Sequence, residues 1–215
     1  MARIDKSVLG FVSGKLGEFV FRKMNGGKFV SLSPDKYKIS QSAEAKTGRA
    51  NFAATVKFAK FINSIPELKE IWSTARIEGT NSYHRIIKYN AKRVNSGKLT
   101  TANKIIPEGQ ILTISSISLK EENQLELNIL LPHDKINFPA ELYLIFAFHK
   151  DVILKQNLII ENKAEEYTLN IPLNNIIISK LANFPNPLIY ITILGEKINK
   201  EEIFWTSSAA IEWVD

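Results

Sequence analysis

The sequence predicts an α+β protein in which an N-terminal β-hairpin arm and a small helical cluster precede an immunoglobulin-like antiparallel β-sandwich. Three observations support this class: an Asn-Gly turn between alternating segments, three segments of helical periodicity, and seven strand-like segments from residue 110 onward. We expect a glycine-rich β-arm plus basic helical domain over residues 1–98. An acidic immunoglobulin-like domain is expected over residues 106–215.

A β-hairpin is expected in the N-terminal arm. Residues 18–24 and 28–33 are strand-like, and Asn25-Gly26-Gly27 lies between them. Asn-Gly favours a type I′ turn, because both central residues of that turn need φ > 0. An isolated two-stranded hairpin is marginally stable in water. The arm is therefore expected to lie either on the chain's own helices or on a neighbouring subunit.

Helical periodicity begins after the arm. Residues 40–63 form an amphipathic pattern, and Ser40 or Ser42 is placed to cap it. Ser64 is expected to cap a second helix that carries Pro66 in its first turn. A third helix is expected over residues 81–95, followed by Gly97.

The C-terminal half consists of short strand-like segments. They lie at residues 110–119, 124–131, 140–149, 152–161, 165–171, 187–195 and 203–214. Seven short strands separated by turn signals at regular spacing are typical of an immunoglobulin-like sandwich. The chain has no cysteine, so the disulfide of antibody domains is absent and the prediction concerns architecture alone. Residues 172–186 are expected to cross over, with a helical turn at 174–181.

Charge is divided unequally along the chain. Residues 1–105 hold 20 of the 28 Lys and Arg and 7 of the 22 Asp and Glu, a net charge of +13. Residues 106–215 hold the other 8 and 15, a net charge of −7. A dipole of this size favours anionic partners for the first half, either a nucleic acid or the acidic half of a second copy. The alternative is that the two halves pack together within one chain.

No catalytic motif or cofactor site is evident in the sequence. The three histidines lie in separate segments without metal-ligand spacing. Gly10–Gly17 lacks the GxxxxGK[ST] pattern of a phosphate-binding loop, because Leu16 follows Lys15. We therefore expect a non-enzymatic protein with no metal or cofactor. No segment reads as a signal peptide or membrane span, so we expect no membrane partner and synthesis in the cytoplasm, with a released particle or filament as a further destination.

Basic side chains interleave with aromatic ones in the helical region. Such patterns can hold phosphates and stack bases, which makes nucleic-acid binding or packaging the alternative function. Tyr83 and Tyr89 also fit the packed face of the third helix. The basic side chains on the first and third predicted helices are Lys46, Arg49, Lys57, Lys60, Arg85, Lys88, Lys92 and Arg93.

The N-terminal half resembles an uncharacterised family of Bacteroidota proteins that open with a Met-Ala-Arg-Ile…Gly…Ser-Gly-Lys-Val-Gly pattern. The matching residues here are Met1-Ala2-Arg3-Ile4, Gly10, Ser13-Gly14-Lys15-Leu16-Gly17, Ser33-Pro34, Gln41, Arg49, Phe52, Asn81 and Asn90. The chain departs from the pattern at residues 19–22, where that family has a tryptophan-containing segment. The resemblance covers most of residues 1–95 and implies the two-part layout, with no catalytic residue.

The favoured function is that of a structural subunit that associates with itself head to tail, as in a filament, tube or virion-like particle. The contacts expected in the arm are Phe19, Phe21, Phe29 and Val30. The contacts expected from the acidic half include Glu165, Glu166, Glu201 and Glu202. The basic side chains expected to meet that half, or nucleic acid, are Arg22, Lys23, Arg49, Arg85, Lys88, Lys92 and Arg93. A third hypothesis, a carbohydrate-binding sandwich, depends on Trp205 and Trp213.

Overall fold

The computed structural model describes residues 2–4, 13–24, 27–33, 39–107, 112–120, 123–130, 138–148, 152–161, 166–195 and 209–212. The chain forms two compact units, residues 1–41 and 42–215. This division differs from the predicted one, which separated the helices from the C-terminal strands near residue 100. The helices and those strands instead belong to the same unit.

The first unit contains a four-stranded sheet. Its strands are β1 (Ala2–Ile4), β2 (Gly14–Leu16), β3 (Phe19–Met24) and β4 (Gly27–Leu32), in the antiparallel order β1-β4-β3-β2. Met24 pairs with Gly27, so β3 and β4 form the predicted hairpin with a two-residue connection. The connecting residues 25–26 lie outside the described part of the chain. The predicted hairpin is thus the centre of a larger sheet.

Three helices open the second unit: α1 (Ala43–Asn63), α2 (Pro66–Thr74) and α3 (Ser82–Asn90). The hydroxyl of Ser42 caps α1 by accepting a hydrogen bond from the Ala45 amide at 3.2 Å. Asn81 caps α3 in the same way, through the His84 amide at 2.9 Å. No helix in the described ranges is long and apolar enough to cross a lipid bilayer.

Two helix boundaries differ from the prediction. Ser64 does not cap α2; it follows the end of α1, and its hydroxyl donates to the Phe61 carbonyl at 2.6 Å. Ile65 precedes α2 without a side-chain cap, and Pro66 takes the first turn as expected. The third helix ends at Asn90, five residues early, because the Asn90 side chain bonds the segment that follows and a 3₁₀ turn takes over.

Each of the seven predicted strand segments overlaps one strand. These are β5 (Thr113–Lys120), β6 (Gln124–Leu130), β7 (Ala140–Ala147), β8 (Ile153–Ile160), β9 (Glu166–Pro172), β10 (Leu188–Gly195) and β11 (Ala209–Glu212). They form two antiparallel sheets, β5-β6-β9 and β11-β10-β7-β8. A fourth helix, α4 (Asn175–Leu181), follows β9 where a helical turn was predicted. The helices are therefore not confined to the N-terminal half.

The central strands of the four-stranded sheet are buried on both faces. Leu142 and Leu144 of β7 belong to one apolar cluster with β6 of the other sheet, whereas Tyr143 and Ile145 pack with the helices. In β10, Tyr190 likewise points to the helical side, and its ring centroid lies 5.4 Å from that of Phe58 in α1. The helices and strands share this second cluster, which explains why they form one unit.

The segment after α3 makes a tight turn that packs on α1. Ser96 and Gly97 have positive φ values of 49° and 74°, which makes a tight turn closed by backbone hydrogen bonds between Asn95 and Lys98. The Gly97 amide donates to the side chain of Asn51 in α1 at 2.6 Å. A Cβ atom on Gly97 would lie 3.0 Å from the Cβ of Ala50, so glycine is required by space as well as by φ.

Candidate functional site

One face of the N-terminal sheet is apolar and exposed. Strand pairing places Leu16 opposite Phe19, Phe19 opposite Leu32, and Phe21 opposite Val30, which puts all five side chains on the same face. Leu16, Phe19 and Leu32 are 59%, 50% and 66% exposed, and Phe21 and Val30 are half-buried. We call these five residues the arm face. Contiguous apolar exposure of this kind marks an interaction surface more often than chance.

The structure revises which residues belong to this surface. Phe29 was grouped with Phe19 and Phe21, but it pairs with Arg22 and therefore lies on the opposite face. Leu16 and Leu32 were not predicted, because their places opposite Phe19 follow only once the register of the strands is known. A shift of one residue in the pairing moves every side chain of a strand to the other face, so the observed register decides which residues belong to this surface.

The N-terminal sheet has no buried core of its own. None of its residues whose burial is described is fully buried. Its described strands and turns carry Arg3, Lys15, Arg22, Lys23 and Lys28 against a single acidic residue, Glu18. A single layer of short strands buries little apolar surface to offset its conformational entropy. Covering the arm face with another surface would therefore stabilise this sheet.

Arg85 and Arg93 are used within the chain. Arg85 Nη1 donates to the carbonyl oxygen of Trp72 at 3.2 Å and to that of Ser73, so the guanidinium closes the C-terminus of α2. Arg93 lies with its guanidinium carbon 4.0 Å from the centroid of the Tyr89 ring and donates to the Tyr89 carbonyl. These two residues were predicted as partner contacts, and the structure gives each an intramolecular role.

The other predicted basic contacts lie on the surface. Arg22 and Lys23 are exposed on β3, Arg49 on α1, and Lys92 just after α3. Lys88 is exposed and forms an ion pair with Glu78. The hydrogen bond and positive charge of Lys88 lower the pKa of the Glu78 carboxyl. Lys88 is therefore already paired locally, whereas no carboxylate in the described part of the chain forms an ion pair with Arg49 or Lys92.

Of the predicted acidic contacts, Glu166 is exposed at the start of β9. Glu165, Glu201 and Glu202 lie outside the described residues, as do Trp205 and Trp213. Glu126 on β6 pairs with Lys120 at 3.3 Å. The structure thus brings one predicted acidic residue to a described surface, at the edge of the three-stranded sheet.

Tyr143 has polar partners in the layer between the helices and the sheet. Its hydroxyl donates to the Glu141 carboxylate at 2.6 Å, and the Lys155 ammonium lies 5.3 Å from the ring centroid. Burial, followed by Glu141 and then Glu67 of α2, raises the pKa of the Tyr143 phenol. The hydroxyl therefore stays a hydrogen-bond donor, which suits a structural contact. Within the described ranges, no three His, Asp or Glu side chains lie close enough to hold a metal ion.

No known protein family matches the chain, and no curated protein is significantly similar to it. Function must therefore be inferred from the surfaces themselves. Two surface features are of a kind that partners contact: the arm face, and the exposed basic side chains Arg49, Lys88 and Lys92 in the helical region.

Proposed function

We propose that the protein is a non-enzymatic structural subunit that self-associates head to tail, as in a filament, tube or virion-like particle. The arm face carries this proposal, because it is apolar, exposed and part of a sheet without a core. Fully burying a leucine or phenylalanine contributes about 1.5–3 kcal/mol. Covering Leu16, Phe19 and Leu32 thus offers several kilocalories per mole to whichever surface receives them.

A second copy of the chain is the occupant that the charges favour. The sheet that carries the arm face is basic, and residues 106–215 have a net charge of −7 from 8 basic and 15 acidic residues. Opposite charges on different surfaces of one molecule support a heterologous contact, in which the arm of one copy meets the acidic half of the next. Repetition of such a contact without closure builds a filament.

We further propose that the β-rich half is an immunoglobulin-like sandwich. Its first, second and fifth strands form one sheet, and its third, fourth, sixth and seventh form the other. The chain therefore changes sheets after β6, β8 and β9, a pattern that fits the Greek-key connections of that class. Strands β5, β8, β9 and β11 are sheet edges and offer backbone groups for strand addition by a neighbour.

Charge reversal on the acidic half tests the head-to-tail arrangement. Size-exclusion chromatography with light scattering is run at about 50 mM and about 500 mM salt, which bracket weak and strong charge screening. We expect large species at low salt and smaller ones at high salt. Substituting Glu165→Lys and Glu166→Lys should shift the low-salt profile towards monomer, because like charges would then meet at the contact.

The matched control is Lys180→Glu, which reverses a charge of the opposite sign on α4. It should leave association unchanged or strengthen it. The head-to-tail contact is refuted if Lys180→Glu shifts the profile towards monomer as much as the double substitution at Glu165 and Glu166 does. It is also refuted if the wild-type protein is monomeric at both salt concentrations. A monomer that carries absorbance at 260 nm in low salt and loses it in high salt would favour nucleic-acid binding instead.

A further inference from the structure

The face of the N-terminal sheet opposite the arm face carries an aromatic ring among basic side chains. Phe29 of β4 pairs with Arg22 of β3, and Lys15 of β2 pairs with Val20 of β3, two residues before Arg22. Residues that pair directly share a face, as do residues two positions apart along a strand. Lys15, Arg22 and Phe29 therefore lie on the same side of the sheet. We call these three residues the basic face.

The strand register also sets how close these side chains are. Residues directly opposite on antiparallel strands have Cβ atoms about 4.5–5.5 Å apart, and diagonal neighbours lie about 7–8 Å apart. Arg22 is directly opposite Phe29, and Lys15 is a diagonal neighbour of Arg22. Both basic side chains are exposed, and Phe29 is half-buried. The two cations can therefore reach a strand that runs across the ring.

The charge of the basic face is not used within the described part of the chain. Among the described residues, neither Lys15 nor Arg22 forms an ion pair or a side-chain hydrogen bond. Glu18, in the turn between β2 and β3, is the single acidic residue of the described strands and turns of this sheet, and no ion pair joins it to either cation. The face is thus complementary in charge to an anionic partner.

We propose that the basic face binds single-stranded nucleic acid, with a base stacked on Phe29 and neighbouring phosphates contacting Arg22 and Lys15. An acidic protein surface would use the two charges and leave the ring without a role, whereas every base offers a π-face to an aromatic side chain. Sheet faces that present aromatic rings bind single strands in this manner. Since this face is opposite the arm face, it stays accessible when the arm face is covered, and it does not depend on the assembly proposed above.

Fluorescence anisotropy with a labelled single-stranded DNA of mixed sequence, titrated at several salt concentrations, tests the site on the full-length protein. Each cation that contacts a phosphate contributes about 0.7 to the slope of log affinity against log salt for a single strand. Arg22→Gln should therefore lower that slope by about 0.7. Phe29→Leu keeps an apolar residue but removes the ring, so it should weaken binding about tenfold without changing the slope. Phe29→Tyr keeps the ring and should bind as the wild-type protein does.

The matched control is Lys23→Gln, which removes the same charge from the next residue of β3. Lys23 pairs with Lys28 on the side of the arm face, so the slope should stay unchanged. Hydrogen exchange of the β3 and β4 amides shows whether each variant keeps the sheet. If Phe29→Leu alters that exchange, the comparison of Arg22→Gln with Lys23→Gln decides by itself.

Three results would overturn the site: an absence of DNA binding, equal changes of slope in Arg22→Gln and Lys23→Gln, or wild-type affinity in Phe29→Leu with the sheet intact. Duplex DNA should bind more weakly and without dependence on Phe29, because its bases are already stacked. Polyglutamate that binds as tightly as the single strand, with the same loss in Phe29→Leu, would assign the face to an acidic protein surface and refute the nucleic-acid proposal.

Discussion

Replacing Trp72 with alanine is expected to destabilise the helices and both C-terminal sheets together. Trp72 of α2 is fully buried in the cluster that α1–α3 share with β7 and β10, and its indole N–H donates to the Ile105 carbonyl at 2.8 Å. Truncating a buried tryptophan costs about 3–5 kcal/mol. That is a large share of the stability of an ordinary domain, about 5–15 kcal/mol.

Urea unfolding followed by far-ultraviolet circular dichroism checks this result. A single transition at a much lower urea concentration is expected, because helices and strands depend on one cluster. Trp72→Phe is the control; it keeps most of the aromatic packing and should lose less than half as much stability. If the Trp72→Ala variant instead showed two transitions, with the strands unfolding at the same urea concentration as in the wild-type protein, the helices would be a separate domain, as the sequence suggested.

Polar substitution of the arm face should abolish self-association. Changing Leu16, Phe19 and Leu32 to threonine removes the apolar surface while keeping residues that favour strands. Because the contact would lose several kilocalories per mole, and each 1.4 kcal/mol is a factor of ten in affinity, the large species should disappear in light scattering at every salt concentration.

The opposite face of the same sheet provides the control for this variant. Val20→Thr and Phe29→Thr alter apolar residues on the same strands but on the other face, and they should leave the size of the assembly unchanged. Unfolding of the second unit should be unaffected by either variant, since none of the four substituted or control positions on β3 and β4, nor Leu16, belongs to the core clusters of the described residues. Assemblies of wild-type size with the arm face substituted would refute a contact through that face.

The sequence was sufficient to place the strands because their signals are local. Alternation and turn residues indicate each segment independently of the rest of the fold, and each of the seven predicted segments overlaps a strand. The helices were predicted, but their packing on the four-stranded sheet was only the alternative that the charge division left open. The prediction used only the even positions of β7, such as Leu142 and Leu144, although Tyr143, Ile145 and Ala147 make the strand continuously apolar from residue 142 to residue 147. Continuous apolarity of this kind is typical of a strand buried on both faces.

The surfaces were harder to predict because they depend on register and on distant contacts. Phe29 was placed with Phe19 by sequence proximity, and strand pairing puts it on the opposite face. Arg85 was assigned to a partner, whereas the carbonyls at the end of α2, twelve and thirteen positions away, take its guanidinium. The role of Asn90 in fixing Lys104 likewise spans fourteen positions, beyond any local pattern.

Hydrogen exchange in residues 13–33 of the full-length protein, measured at several protein concentrations, tests the central claim most directly. If the arm face is covered by a second copy, exchange of the β2, β3 and β4 amides should slow as the concentration rises through the range in which light scattering shows association. The amides of β7 and β10 should exchange equally slowly throughout. Exchange in the arm that is equally slow at every concentration would contradict the account, because the arm face would then be covered within a single chain.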